Sequence, residues 1–121
     1  MSSKRANALV APRLLRQYVA VFAALSDETR LSLLARLIDG VPCSISQLTE
    51  DSKMSRQAVT KHLRVLESAG LVRGETAGRE CRFELEPKPL EEIRDYLDLV
   101  SQQWDEALAR LKKLVEPKAS S

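Results

Sequence analysis

The chain has 121 residues, 44% hydrophobic, 30% charged and 4% aromatic, with a formal net charge of +2 at pH 7. That is one domain's worth of chain, large enough for its own core if it shares some surface with a partner. The shortage of aromatic rings speaks against a single-strand binder that stacks bases. No apolar run approaches membrane length, and Lys4 and Arg5 are not followed by a signal-type hydrophobic stretch, so a cytoplasmic protein with no membrane partner is expected.

The small net charge hides a segregation of sign. Residues 1–16 carry Lys4, Arg5, Arg13 and Arg16 and no acid; residues 55–82 carry six basic side chains against three acidic; residues 90–116 carry seven acidic against four basic. One end of the molecule suits a polyanion and the other faces away from it. A single domain over residues 1–121 is expected, with its core in 12–116 and disorder at 1–8 and 117–121.

After Pro12, the residues Leu15, Tyr18, Phe22 and Leu25 recur at steps of three and four, the mark of a first helix with an apolar stripe. Ser26 or Asp27 then caps a second helix reaching about residue 39, with Leu31, Leu34 and Ile38 as its core stripe and Gly40 as its stop. Arg30 is expected to tie elements together by an ion pair. In residues 43–49, Ser44 or Ser46 can cap a short helix over about 46–51, to which Ile45 and Leu48 contribute apolar contacts.

A turn leads from there into residues 54–72, the most informative stretch. Ser55 can cap a helix, with Met54 as a hydrophobic staple to Val59. At 100° per residue Val59, Leu63 and Leu66 fall on one face, and Gln57, Thr60, Lys61 and Arg64 on the other. Gly70 ends the helix. The first face packs; the second offers an amide that pairs with adenine, a guanidinium on Arg64 or Arg56 that pairs with guanine, and an ammonium for phosphate. With the short helix before it this is a helix-turn-helix whose second helix reads double-stranded DNA. His62, at the edge of the apolar stripe, suits a structural or phosphate-contacting role.

Downstream, residues 71–76 and 79–85 flank Ala77-Gly78, and Cys81, Phe83 and Leu85 alternate with charged residues. Period two around a glycine turn predicts a hairpin, the wing of a winged helix, on which Arg73, Arg79 and Arg82 can hold the flanking backbone or minor groove. In the last helix Leu90, Ile93, Leu97, Val100, Trp104, Ala107, Leu111 and Leu114 form a seam of roughly 39 Å, longer than so small a domain can cover. The first and last helices are therefore expected to dock on their copies in a homodimer, through Leu15, Tyr18, Phe22, Ile93, Leu97, Val100, Trp104 and Leu111. A pair of reader helices about 34 Å apart would demand an inverted-repeat operator. The expected fold is mainly α with a small β-hairpin wing, a winged helix-turn-helix with a helical dimerisation interface.

Over residues 21–114 the sequence resembles the ArsR/SmtB family of bacterial winged-helix repressors. The resemblance is carried by Phe22-Ala23-Ala24-Leu25-Ser26-Asp27-Glu28-Thr29-Arg30-Leu31, by Ser55 with Val59-Thr60-Lys61-His62-Leu63 and Ala69-Gly70-Leu71-Val72, and by Arg82-Phe83-Glu84-Leu85. It implies a homodimeric repressor released from DNA by an inducer. The family's familiar inducers are metal ions, and here the sequence departs: Cys43 has Ser44 and Ser46 where a second thiolate could stand, and His62 is the single histidine. No metal and no cofactor is expected, and the inducer, a small molecule or a redox signal, is not named by the sequence.

Cys43 and Cys81 fall on strands that a winged helix pairs. Buried free thiols are the expectation in a reducing compartment, with a thiol redox switch as the alternative. A winged-helix module that binds protein is a second alternative. An enzyme is not expected, since the chain has one histidine and neither a phosphate loop nor a paired nucleophile and base.

Overall fold

The structure, a computed structural model, describes residues 11–115. In chain order it has α1 (Pro12–Leu25), α2 (Glu28–Arg36), β1 (Cys43–Ser44), α3 (Ile45–Glu50), α4 (Arg56–Ser68), β2 (Val72–Ala77), β3 (Glu80–Leu85) and α5 (Lys88–Val115). Two compact units result, one ending at Pro89 and one beginning at Leu90.

In the first unit each helix starts where the sequence supplies an acceptor. Asp27 caps α2, its carboxylate accepting from the Arg30 backbone N–H at 3.0 Å. Ser44, not Ser46, caps α3. Its hydroxyl accepts from the Gln47 N–H at 3.1 Å while the Gln47 side-chain oxygen accepts from the Ser44 N–H at 2.8 Å, a reciprocal box that starts the helix one residue earlier than expected. Ser55 caps α4 by accepting from the Ala58 N–H at 3.1 Å.

The end of α4 is equally defined. Leu71 N–H donates to Leu66 C=O and Gly70 N–H to Glu67 C=O, both at 2.9 Å, with Gly70 at φ 78°. Both bonds of a Schellman motif are present, and they turn the chain straight into β2.

The core differs from expectation on α2. Leu33, Leu34 and Leu37 are buried, whereas Leu31 and Ile38 are 49% and 75% exposed. Leucines at 31, 33, 34 and 37 leave two overlapping helical stripes in the sequence, and α2 stops at Arg36, so Ile38 falls in the following turn, off the helical period. Leu37 is fully buried, as are Leu48 of α3, Val59, Leu63 and Leu66 of α4, and Leu71.

The strands form one antiparallel sheet in the order β1-β3-β2, with Cys43 and Gly74 both opposite Phe83 on β3. Gly78, at φ 66°, opens the two-residue connection between the paired Ala77 and Glu80. Gly74 has a different reason to be glycine: a Cβ there would sit 2.9 Å from the Phe83 ring, which lies across the space a side chain would fill.

The second unit is the body of α5, a helix of 28 residues and so about 42 Å long. Ile93 is buried; Leu97, Trp104, Leu111 and Leu114 are exposed. Among the described residues no helix is long and apolar enough to cross a membrane. The predicted disorder at 1–8 and 117–121 falls outside the described residues.

Ser44→Ala removes half of a reciprocal cap at a buried position and is expected to lower unfolding stability by about 0.5–2 kcal/mol. Ser46→Ala, which removes an exposed hydroxyl whose one hydrogen bond, from Arg56, is replaceable by water, is expected to cost less than Ser44→Ala. Urea unfolding of both variants checks the difference.

Candidate nucleic-acid interface

The α3–turn–α4 unit presents α4 with two unlike faces. Val59, Leu63 and Leu66 are at zero exposure, so the opposite face must point outward. On it Arg56, Gln57, Thr60, Lys61 and Arg64 line a shallow groove of about 380 Å³. Gln57, Lys61 and Arg64 are exposed and have no hydrogen-bond or ion-pair partner among the described residues.

The other predicted contacts on this helix are partly committed. The Thr60 hydroxyl donates to the Arg56 carbonyl at 2.8 Å, and Arg56 Nη1 donates to the Ser46 hydroxyl at 2.8 Å, pinning the first turn of α4 to α3. The Ser55 hydroxyl serves its cap. His62 is half-buried and turns away from the groove, with Nδ1 3.4 Å from Arg30 Nη1. A guanidinium can only donate, so Nδ1 accepts there and the ring proton sits on Nε2.

Arg30 ties elements together as expected, but chiefly through carbonyls. Its Nε donates to Ala24 C=O at 2.7 Å and its Nη2 to Ala23 C=O at 3.2 Å, satisfying the orphan acceptors at the end of α1, while the Asp27 carboxylate is 4.0 Å away. The Arg30 backbone N–H donating to Asp27 holds that carboxyl below the usual carboxylate range, with the nearby cationic Arg30 side chain acting in the same direction. The sequence signal was there to find: an arginine five residues past the end of a helix can reach back to its last carbonyls.

The wing arginines are not equivalent. Arg73 stands opposite Glu84 and forms an ion pair with it, with Glu86 a second partner at 3.6 Å. Arg82 pairs with Glu80 of its own strand at 3.5 Å. Arg79, at the hairpin tip, is exposed and has no such partner among the described residues. The Arg82–Glu80 pair, two residues apart on one strand face, is local, whereas the Arg73–Glu84 pair is set by strand register and had no signal in sequence order.

Cys43 and Cys81 are free, on neighbouring strands and the same sheet face, but Cys43 faces Phe83, two residues from Cys81. Diagonal partners of this kind lie roughly 7–8 Å apart, beyond the Cα spacing that a disulfide spans, so bridging them would require β1 to move along β3. The residues that flank a possible metal ligand do not fit one either. Beside Cys43 the Ser44 hydroxyl is engaged in its cap, His62 is engaged with Arg30, and among the described residues no three His, Cys, Asp or Glu side chains gather as a metal group.

Of the eight residues expected at a dimer interface, Leu15 and Phe22 of α1 and Leu97, Trp104 and Leu111 of α5 are exposed, with Trp104 at 63% and Leu111 at 54%. Tyr18 and Val100 are half-buried. Ile93 differs from these in being only 5% exposed.

A capped helix pair, a second helix with amide and cationic groups on its free face, and a hairpin wing together define a winged helix-turn-helix of the transcription-regulator class. The profile of a helix-turn-helix domain family matches residues 25–75. The HTH-type transcriptional regulator Rv2034 of Mycobacterium tuberculosis is 37% identical over 93 residues, covering 77% of this chain and 83% of that protein. An ArsR-like transcriptional regulator of Rhodococcus sp. RHA1 superposes with a TM-score of 0.76 at 37% identity, over 84% of this chain and 95% of that one. The homodimeric winged helix-turn-helix DNA-binding domain Mb0332 of Mycobacterium bovis shares the fold with a TM-score of 0.61 at 21% identity, over 78% of this chain and 87% of that one. The chain belongs to the ArsR family of winged-helix transcriptional regulators.

Arg30→Met keeps much of the side-chain volume but strips the Ala24 carbonyl of its Nε donor, while the Ala23 carbonyl keeps the Ser26 hydroxyl and N–H. It is expected to cost about 1–3 kcal/mol of unfolding stability, whereas His62→Ala, which removes only the 3.4 Å contact, is expected to cost less. Chemical denaturation of the two variants side by side reads the order.

Proposed function

We propose that the chain acts as a homodimeric, sequence-specific repressor in the cytoplasm, without catalytic activity, that reads an inverted-repeat operator in double-stranded DNA and is released by a non-metal signal. The observation that carries this reading is the outward face of α4, where Gln57, Lys61 and Arg64 are exposed and unpartnered. Gln57 stands in the first turn of α4, the part of a reader helix that meets base edges, and its amide suits adenine. Arg64 suits guanine, and Lys61 suits a phosphate. Arg79 at the wing tip suits the flanking backbone, while Arg73 and Arg82 must first exchange a carboxylate for a phosphate.

Two-fold assembly is supported by the exposed apolar side chains Leu97, Trp104 and Leu111 on α5 and Leu15 and Phe22 on α1, and by the homodimeric fold neighbour. A lone helix that leaves such a stripe in water loses the burial that a second copy restores. The thiol-responsive version of the reading, through Cys43 and Cys81, needs the strand shift described above.

Gln57→Ala and Arg64→Ala are expected to cost about 1–3 kcal/mol of operator binding with little effect on random duplex, while Lys61→Ala weakens both alike and lowers the salt slope by about one. Titrations of a selected and a scrambled duplex at several salt concentrations separate the two behaviours; binding without salt dependence, or none at all, favours a protein-interaction module. Leu97→Glu with Leu111→Glu is expected to give a folded monomer with operator affinity reduced at least about tenfold, read by sedimentation and the same titration.

A further inference from the structure

Beside the reading groove, between α1 and α4, lies a second cleft of about 630 Å³, within the size range of small-molecule sites. Its lining is mainly apolar, from Ala20, Ala23, Ala24, Val65 and Ala69; its polar members are the Ser68 hydroxyl and the cations Lys61, Arg64 and Arg30, the last engaged with the end of α1, and no acidic side chain lines it. Along α4 the charges are at one end. From Lys61 to Ala69 the cleft follows α4 for about 12 Å, cationic for its first turn and, Ser68 apart, apolar for its second. Lys61 and Arg64 also line the reading groove, so they form the wall common to both depressions.

We propose that this cleft binds an amphipathic organic anion, a carboxylate on a medium-length alkyl chain, and that such a ligand releases the protein from DNA. The carboxylate is held by Lys61 and Arg64, and the alkyl chain lies on the methyl groups of Ala20, Ala23, Val65 and Ala69. Charge complementarity selects the head group, since neither cation has a protein partner among the described residues. Apart from Ser68 and the already engaged Arg30, the rest of the lining is apolar, which selects the tail. Release follows because a carboxylate on Lys61 and Arg64 removes the charges that DNA phosphates and bases would use. The two ligands then compete through the same side chains, with no change of fold required. The release rests on the reading of α4 as the DNA-binding helix; the binding does not.

Dodecanoate is the probe, with dodecanol and acetate as controls that keep the tail or the head alone. Calorimetry without DNA is expected to show saturable binding of dodecanoate, with a rise in melting temperature by mass action, and at least tenfold weaker binding of either control. In the presence of a selected operator duplex, saturating dodecanoate is expected to weaken DNA binding by roughly 5- to 150-fold, the usual span of a coupling between ligands. Ala20→Phe fills the cleft from α1 without touching the reading face; it is expected to abolish dodecanoate binding and its effect on DNA while leaving operator affinity unchanged. The proposal is overturned if dodecanoate does not bind saturably, if it binds no better than dodecanol, if Ala20→Phe binds it as before, or if Ala20→Phe alters the oligomeric state, which would mean that a second copy occupies the cleft. If dodecanoate binds but wild-type protein ignores DNA, the reading of α4 fails and the site stands; if DNA binds and is indifferent to bound dodecanoate, the release mechanism fails.

Discussion

Burial of one face of α4 is the constraint on which the rest depends. Val59, Leu63 and Leu66 are withdrawn from water together with Leu48, Leu37 and Leu71, and each such side chain contributes about 1.5–3 kcal/mol relative to exposure. A helix fixed by that much area cannot rotate about its axis without exposing it. The orientation of Gln57, Lys61 and Arg64 is therefore a by-product of core packing, and no polar contact is needed to aim them. The cap at Ser55, the Arg56–Ser46 bond and the Schellman turn at Gly70 then set where along its axis the helix begins and ends.

Arg30 does for the back of the reader what the leucines do for its underside. It satisfies the last carbonyls of α1, sits in the first turn of α2 beside the Asp27 cap, and meets His62 on α4. One side chain rooted in α2 thus ties α1 and α4 together, through Nε and Nη2 to the carbonyls of α1 and Nη1 to His62 of α4. The same arrangement explains why the one histidine of the chain is not on the reading groove although it is flanked by two residues that are, Lys61 and Arg64.

Legibility varied with how local the determining interaction was. The caps, the two faces of α4, its glycine stop and the hairpin turn depend on residues within one or two turns of each other, so their spacing in the sequence was enough. Features set by distant partners were not legible. Leu31 and Leu33 compete for the core on period alone, and only the packing of α2 on its neighbours decides between them. Arg73 and Arg79 of the wing look alike until register places Glu84 opposite Arg73. Ile93 belongs to a perfect heptad seam, yet it is 5% exposed where Leu97, Trp104 and Leu111 of the same seam are exposed. The cleft between α1 and α4 had no sequence signature, because alanines spaced along two separate helices become a floor only when the helices meet.

The missing methyl at Gly74 has a wider consequence. A Cβ there would sit 2.9 Å from the Phe83 ring and 3.2 Å from the Glu67 carboxylate at the far end of α4, so helix, inner strand and outer strand converge on a gap that a side chain could enter only by displacing the ring. The root of the hairpin is wedged there, while its tip at Gly78 meets nothing within 4 Å. Insertions at the tip can lengthen the wing, but nothing short of rebuilding the wedge can change its pitch. Descendants of this chain can thus vary how far along a duplex they grip much more readily than the angle at which they approach it.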